Sequence, residues 1–226
     1  MNRKIQMSET ILIGVLLAIS GGFMDAYSYI FRDHVFANAQ TGNIILFGIY
    51  LSEGNIHESI KYFWPVIAFA FGIILADFFR YFENKYKLHW RQLSVLIEIL
   101  IFSVVAFIST EYNLLANSLI SLACGIQVES FRKIYSHPIA TTMCIGNLRS
   151  GTENLYNFLM YRDEFSLKKT RLYFGIILCF VFGAILGNIF IELFASKAIL
   201  MSSIILSIVF VLMFIEEFNP EKSFFK

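Results

Sequence analysis

Long apolar stretches alternate with short polar connections along almost the whole chain. A bilayer core of about 30 Å is crossed by roughly 20 apolar residues in a helix, and six stretches come within a few residues of that length. The pattern therefore predicts six transmembrane helices. We expect them at Thr10–Ile30, Tyr62–Phe82, Leu93–Ser109, Leu114–Phe131, Leu172–Phe194 and Ala198–Ile215.

Two further apolar stretches, Val35–Leu51 and Ile139–Met160, are interrupted by polar residues and are ambiguous. Cytoplasmic loops of membrane proteins carry an excess of Lys and Arg, so the charges decide how these stretches are placed. Eight crossings leave no charge bias, whereas six crossings put 15 of the 18 Lys and Arg residues on one side. We therefore predict six crossings with both termini cytoplasmic, and two re-entrant segments that enter from opposite sides.

The two halves of the chain resemble each other at an offset of 104 residues. Asp25 corresponds to Glu129, and each carboxylate is followed 18 residues later by a Gly-Asn pair, at 42–43 and at 146–147. This spacing of a carboxylate and Gly-Asn in both halves indicates an internal repeat.

The repeat predicts the architecture of a single membrane domain over 1–226. Repeat one covers about 10–110 and repeat two about 113–216, each with three crossings and one re-entrant segment. An odd number of crossings inverts the second copy, so the predicted fold class is an all-α transmembrane bundle with an inverted 3+3 repeat. Such repeats with interrupted helices are typical of transporters. At an offset of 103, Gly72–Leu75 also matches Gly175–Leu178, but apolar matches of this length arise by chance in membrane chains.

Small residues recur at every fourth position on the first and fifth predicted helices, a spacing that lets helix backbones approach closely. We favour packing of these stripes within one chain, and a homodimer interface is the alternative. The two stripes are Gly14, Ala18, Gly22 and Ala26, and Gly175, Cys179, Gly183 and Gly187.

Composition agrees with a membrane protein and excludes other classes. The chain is 57% hydrophobic and 15% charged, whereas soluble domains are about 25% charged. A net charge of +1 does not fit a nucleic-acid-binding protein. The three cysteines are isolated, so neither a disulfide framework nor a zinc site nor a cofactor is predicted. No Gly-x-Ser-x-Gly or His-Glu-x-x-His motif is present, and we do not expect an enzyme.

The two Gly-Asn pairs are the centre of the predicted site. Glycine permits a break in the helix, and each asparagine could either satisfy freed backbone groups or face a solute. The N-termini of the half-helices favour anionic or carbonyl groups, so the expected partner besides the lipid bilayer is a small solute, which could be an anion. The residues expected to line this site are Asp25, Asn38, Gln40, Thr41, Gly42, Asn43, Gln127, Glu129, Thr142, Gly146, Asn147 and Arg149.

Two carboxylates of this set have structural alternatives. Asp25 either serves the solute or accepts hydrogen bonds from re-entrant backbone N–H groups or pairs with Arg32. Glu129 lies one helical turn from Arg132, and an i,i+3 ion pair is the interpretation we favour there. For the same reason we expect a structural pair of Asp77 with Arg80.

Arg149 and Glu98 are harder to place. Arg149 could bind an anion as a bidentate donor, pair with Glu153 or Glu129, or extend to the cytoplasmic surface. Glu98 lies in the middle of a predicted span and must face the bundle interior. It is either a neutral carboxyl that hydrogen-bonds to another helix or a proton-coupling residue.

Two long motifs resemble those of the YoaK-like family of bacterial membrane proteins of unknown function. The first comprises residues 21–27 and 35–43, and the second comprises residues 124–132 and 141–150. The resemblance covers nearly the whole chain and implies a six-helix integral protein of the bacterial inner or plasma membrane. It implies no substrate and no catalytic residues. Our preferred hypothesis is a transporter or channel for a small solute, and the alternative is a non-transporting membrane scaffold or regulatory partner.

Overall fold

The computed structural model describes residues 7–83, 89–135 and 137–214, and within them the chain is a bundle of α-helices. The all-α prediction is confirmed. A two-residue antiparallel ladder joins β1 (Lys133–Ile134) to β2 (His137–Pro138). The helices are α1 (Ile11–Phe31), α2 (Gln40–Ser52), α3 (Ile56–Tyr81), α4 (Trp90–Val105), α5 (Asn113–Ser130), α6 (Cys144–Tyr161), α7 (Glu164–Phe194) and α8 (Leu200–Leu212).

Polar capping residues set the starts of several helices. The side chain of Thr10 accepts a hydrogen bond from the first turn of α1, which begins within one residue of its predicted start. α3 and α7 begin earlier than predicted because Asn55 and Asp163 cap them. Capping side chains satisfy N–H groups that have no partner in the helix, so the helices extend beyond their apolar parts.

Three helical units in the described chain are long and apolar enough to cross a bilayer. They are α1, α3 and the continuous unit Glu164–Leu212, in which a 3-10 turn at Ala195–Ile199 joins α7 to α8. α4 has 16 residues, and α5 carries buried Asn117, Ser121 and Gln127, so neither stands out by length and composition.

Some residues used in the prediction lie outside the described part of the chain. They are the end of the sixth predicted span at Ile215 and six of the charges that were counted, namely Arg3, Lys4, Lys85, Lys87, Lys222 and Lys226.

The helices of the two halves are interleaved. α1 from the first half packs along α7 from the second, and α5 from the second half packs along α3 from the first. α4 packs against α8, while α2 and α6 pack against α3 and α7 respectively. Each half therefore supplies the packing partner of the other.

Glycine pairs allow the two closest helix contacts. In the α1–α7 contact, a Cβ atom on Gly22 would overlap the backbone of Phe180, and one on Gly183 would overlap the carbonyl of Ile19. In the α3–α5 contact the reciprocal pair is Gly72 and Gly125, each against the other helix's backbone. Small residues let helices in lipid approach closely and gain van der Waals contact.

The small-residue stripes thus pack within the chain, as we favoured. Gly187 faces Ala26 across the α1–α7 contact, and Gly14 packs against the side chain of Ile134. Gly175 is different, because a Cβ atom there would meet no atom within 4 Å. The packing role of Gly72 is therefore shared with Gly183 and not with Gly175, although Gly175 lies in the matching tetrapeptide.

We predict that Gly22→Ala lowers the apparent melting temperature of the purified protein, because the added methyl group must separate α1 from α7. Overpacking of this kind costs about 1–3 kcal/mol. The matched control is Gly175→Ala, which adds the same group in open space and should leave the melting temperature unchanged or slightly raised. Equal melting temperatures of the two variants would contradict the close α1–α7 contact.

Candidate functional site

The irregular segment between α1 and α2 folds back onto the middle of α1. The backbone N–H of Asn38 donates to Asp25 Oδ1 at 2.7 Å, and Asn38 Nδ2 donates to the carbonyl oxygen of Gly21 at 3.2 Å. Gly21 and Asp25 lie one turn apart on α1. α2 therefore begins beside this turn, at the centre of α1 and not at its end.

The irregular segment before α6 reaches the same turn of α1. A Cβ atom on Gly21 would lie 3.1 Å from the carbonyl oxygen of Thr141 and 3.3 Å from the Cα atom of Thr142. Cys144, the first residue of α6, lies close enough to Asp25 for an electrostatic interaction. The starts of α2 and α6 are thus brought together at the turn Gly21–Asp25, which we call the meeting point.

Asn43 and Asn147 hold these two segments by the same arrangement. Asn43 accepts the N–H of Phe36 at 3.0 Å through Oδ1 and donates to the carbonyl of Phe36 at 2.8 Å through Nδ2. Asn147 Oδ1 accepts from the N–H of Ala140 at 3.3 Å, and its Nδ2 donates to the carbonyl of Ala140. Both side chains therefore bracket the residue seven positions earlier. Of the two roles open to them, they satisfy freed backbone groups.

Several predicted residues support the first segment. Gln40 Nε2 donates to the carbonyl of Ala37 at 2.7 Å and lies 3.4 Å from Ser121 Oγ on α5. Its Oε1 accepts from Asn43 Nδ2 at 2.9 Å. Gly42 is small because a Cβ atom there would lie 2.8 Å from the ring of Phe36.

Other predicted residues do not reach the meeting point. Thr41 and Gly146 are exposed, and a Cβ atom on Gly146 would meet no atom within 4 Å, so nothing in the packing explains this glycine. Arg149 is also exposed and lines an open groove of about 790 Å³ along α6, together with Glu153. Among the described residues, no ion pair within 4 Å joins Arg149 to Glu153 or Glu129.

Asp25 accepts backbone hydrogen bonds, one of the alternatives open to it. The backbone of Ala37 and Ala39 also interacts with its carboxylate, in addition to Asn38. This places a negative group at the N-terminus of α2, where the helix dipole is positive. Asp25 does not pair with Arg32 within the described chain.

Arg32 instead closes the end of α4. Its side chain is fully buried, and all of its hydrogen bonds go to neutral acceptors in the described chain. Backbone carbonyls at a helix C-terminus carry partial negative charge, so they compensate the guanidinium in place of a carboxylate. The acceptors are the carbonyls of Val105, Ile108 and Ser109, the side chain of Asn113 and the hydroxyl of Tyr27.

Glu129 takes a different role from Asp25, to which the predicted repeat relates it. Its carboxylate lies 2.8 Å from Arg132 and 3.5 Å from Arg80, and Arg80 lies 2.8 Å from Asp77. The expected i,i+3 pairs are both present, and the bridge from Arg80 ties α3 to α5.

These charges line a cleft of about 610 Å³ at the end of the bundle that holds the start of α4. His89 caps α4 there. Burial lowers the pKa of His89, and the charge of Arg91 acts in the same direction, against the carboxylate of Glu83.

The bundle interior contains polar atoms without partners in the described chain. Glu98 is fully buried and neither carboxyl oxygen is hydrogen-bonded, and the hydroxyl of Ser202 is also unpartnered. Gln127 Nε2 lies 3.4 Å from the carbonyl of Leu17, but its Oε1 has no partner.

Three unpartnered oxygens belong to residues at the meeting point. They are Asn38 Oδ1, Thr141 Oγ1 and Thr142 Oγ1, and all three side chains are buried. Thr141 was not among the predicted site residues, because only the fold shows that its segment reaches Gly21. Within residues 7–83, 89–135 and 137–214, no three His, Cys, Asp or Glu side chains form a group that could hold a metal ion.

Comparisons with known proteins agree with the resemblance seen in the motifs. A family model described as a protein of unknown function, DUF1275, matches residues 13–212. The UPF0700 transmembrane protein YoaK of Bacillus subtilis is 27% identical over 163 residues, which cover 70% of this chain and 71% of that protein. No solved structure matches the chain.

We predict that Asn43→Ala and Asn147→Ala destabilise the protein to a similar extent. Each substitution leaves a backbone N–H and a backbone C=O without the hydrogen bonds that the asparagine amide supplies. An unsatisfied buried polar group costs about 1–3 kcal/mol. Thermal unfolding of the purified variants measures the effect. The control is Asn154→Ala, which removes a bond to a helix carbonyl at Ser150, and a loss of stability as large in this control would contradict the bracket role.

Proposed function

We propose that this membrane protein, which belongs to the DUF1275 family, moves a small solute across the bilayer through the meeting point of its two irregular segments. The resemblance to YoaK-like proteins is confirmed by the family match and by the YoaK relative. The observation that carries the proposal is the convergence of Asn38 and Thr141–Thr142 on one turn of α1.

The proposal includes six crossings arranged as an inverted repeat. Reciprocal packing supports it, since α1 contacts α7 as α5 contacts α3. The twin brackets of Asn43 and Asn147, 104 residues apart, support it as well. The Lys and Arg distribution favours cytoplasmic termini in a bacterial inner or plasma membrane.

Irregular backbone at membrane depth is tolerated only where it is buried in protein or lines a wet cavity. Two such segments meeting at the middle of one helix are the arrangement of many transporters, whose sites lie at broken helices. The polar residues of the proposed site are then Asp25, Asn38, Thr141 and Thr142, with Asn43 and Asn147 as supports outside it.

The N-termini of α2 and α6 differ in the groups that they present to a solute. The carboxylate of Asp25 already accepts N–H groups before α2, so an anion is disfavoured there. The first turn of α6 has no side-chain cap, and its N–H groups suit a carbonyl or carboxylate of the solute. We propose no enzymatic reaction.

A non-transporting scaffold or regulatory partner is the second candidate. Asn43 and Asn147 favour it, because their amide groups hydrogen-bond to the backbone and so serve packing. Co-purification of one stoichiometric partner, together with absence of flux, would favour this candidate over transport.

Flux into proteoliposomes tests the transport proposal. We expect at least one of glycerol, urea, acetate and glycine to enter faster than into protein-free liposomes, and Thr142→Val to slow that entry by removing a hydroxyl at the meeting point. The control Thr152→Val changes an exposed residue of α6, the helix that follows Thr142, and should keep the rate. Absence of entry for every probe, with folded protein in the membrane, would contradict transport by these solutes.

We predict that Glu53→Cys and Glu164→Cys are labelled from opposite sides of the membrane. Both positions are exposed, one between α2 and α3 and the other at the start of α7. In a background without the native cysteines, an impermeant maleimide added to intact cells should label Glu53→Cys alone. Labelling of both variants after cell lysis is the control, and labelling of both in intact cells would contradict the six-crossing topology.

A further inference from the structure

We infer that the meeting point binds one small monovalent cation, held by oxygen atoms of Asp25, Asn38, Thr141 and Thr142. This inference rests on the proposed transport function and deepens it, because it names the class of ion that would accompany the solute. Four observations carry it: the fixed amide of Asn38, the buried threonine hydroxyls, the single carboxylate and the irregular backbone.

The hydrogen bonds of Asn38 determine which of its amide atoms is free. Its nitrogen must face the carbonyl oxygen of Gly21, at 3.2 Å, because that oxygen can only accept. Oδ1 is therefore the atom without a partner, and the side chain is 2% exposed. A buried acceptor without a donor costs free energy, and a cation or a solute donor would satisfy it.

The second segment contributes two more oxygens. Thr141 and Thr142 are 3% and 1% exposed, and neither hydroxyl has a partner in the described chain. Their backbone lies against Gly21, the same residue that Asn38 contacts. The unpartnered side-chain atoms at the meeting point are thus all oxygens, contributed from both irregular segments.

Oxygen ligands suit hard cations, and unwound segments next to half-helices coordinate Na⁺ in transporters. An anion would add an acceptor beside the carboxylate of Asp25 and the amide oxygen of Asn38, which cannot donate. Among the unpartnered side-chain groups, only the two hydroxyls could donate to it. The ligand set therefore favours a cation over an anion at this position.

The charge of the site favours a monovalent ion. Asp25 is the one carboxylate among the four residues, so one bound monovalent cation gives local neutrality. A divalent ion would leave an uncompensated charge in a buried site, which costs several kcal/mol. Arg32 does not compete for Asp25, because its donors are used at the end of α4.

Binding of ²²Na⁺ to the purified protein tests the inference without requiring flux. We expect saturable binding of one ion per chain, together with a rise of the melting temperature in NaCl over choline chloride at equal ionic strength. A ligand at ten times its Kd should raise the melting temperature of a chain of this length by about 3–6 °C. KCl is the second arm, and a response to K⁺ in place of Na⁺ also supports a monovalent cation site.

Variants locate the ion. Thr142→Val keeps the side-chain shape and removes one ligand oxygen, and Asp25→Asn keeps an acceptor for Asn38 but removes the charge. Both should lose the cation response, and Thr142→Val remains informative if Asp25→Asn does not fold. The controls Glu129→Gln, 104 residues after Asp25, and Glu98→Gln, at a fully buried carboxyl in the bundle interior, should keep it.

The outcomes separate this inference from the transport proposal. Cation binding that depends on Thr142 without solute flux would support the site and count against transport. Equal melting temperatures in NaCl, KCl and choline chloride, with no ²²Na⁺ bound, would overturn the inference and leave flux untouched. Binding that is lost in Glu98→Gln and retained in Thr142→Val would also overturn it, because the ion would then lie elsewhere.

Discussion

The structure depends on satisfying backbone groups where the chain leaves a helix inside the bundle. Two segments that lie against α1 lack helical hydrogen bonds, and a buried peptide group without a partner is costly. The side chains of Asn43 and Asn147 meet this need by presenting an amide to the N–H and C=O of a residue seven positions earlier. An amide can donate and accept at once. One asparagine side chain therefore makes the pair of hydrogen bonds that a neighbouring β-strand would otherwise make. The two helix starts are held at the centre of the bundle for this reason.

Close packing between the halves complements these brackets. A membrane offers little hydrophobic driving force for helix association, so the contacts of α1 with α7 and of α3 with α5 depend on glycine pairs that bring backbones together. The first segment reaches Gly21 on α1, one residue before Gly22, which contacts α7. The packing of α1 against α7 and the position of the meeting point therefore depend on two adjacent residues of α1.

The sequence allowed the helices to be predicted, since they follow from local apolar patterns. The breaks expected at Gly42 and Gly146 are not there, because both glycines lie inside α2 and α6 and the irregular segments come before these helices. Roles that depend on distant atoms could not be predicted in the same way. Arg32 was considered as a partner of Asp25, and its burial follows from carbonyls 73 and 76 residues further along the chain. Thr141 has no local signal, because only its contact with Gly21 identifies it. The tetrapeptide match of Gly72 with Gly175 was misleading about packing, because Gly175 faces no neighbouring atom.

The two halves of the chain are alike in the hydrogen bonds of Asn43 and Asn147 and differ in their charges. Asp25 holds the start of α2, whereas its equivalent Glu129 is drawn to Arg80 and Arg132 at one end of the bundle. A fully symmetric pair would place two carboxylates near one point, where like charges disfavour joint ionisation. Because Glu129 forms ion pairs with Arg80 and Arg132, Asp25 alone supplies a carboxylate to the meeting point. The second half of the chain contributes the hydroxyls of Thr141 and Thr142 in place of a charge, so the groups at the meeting point come from both halves and differ in chemistry.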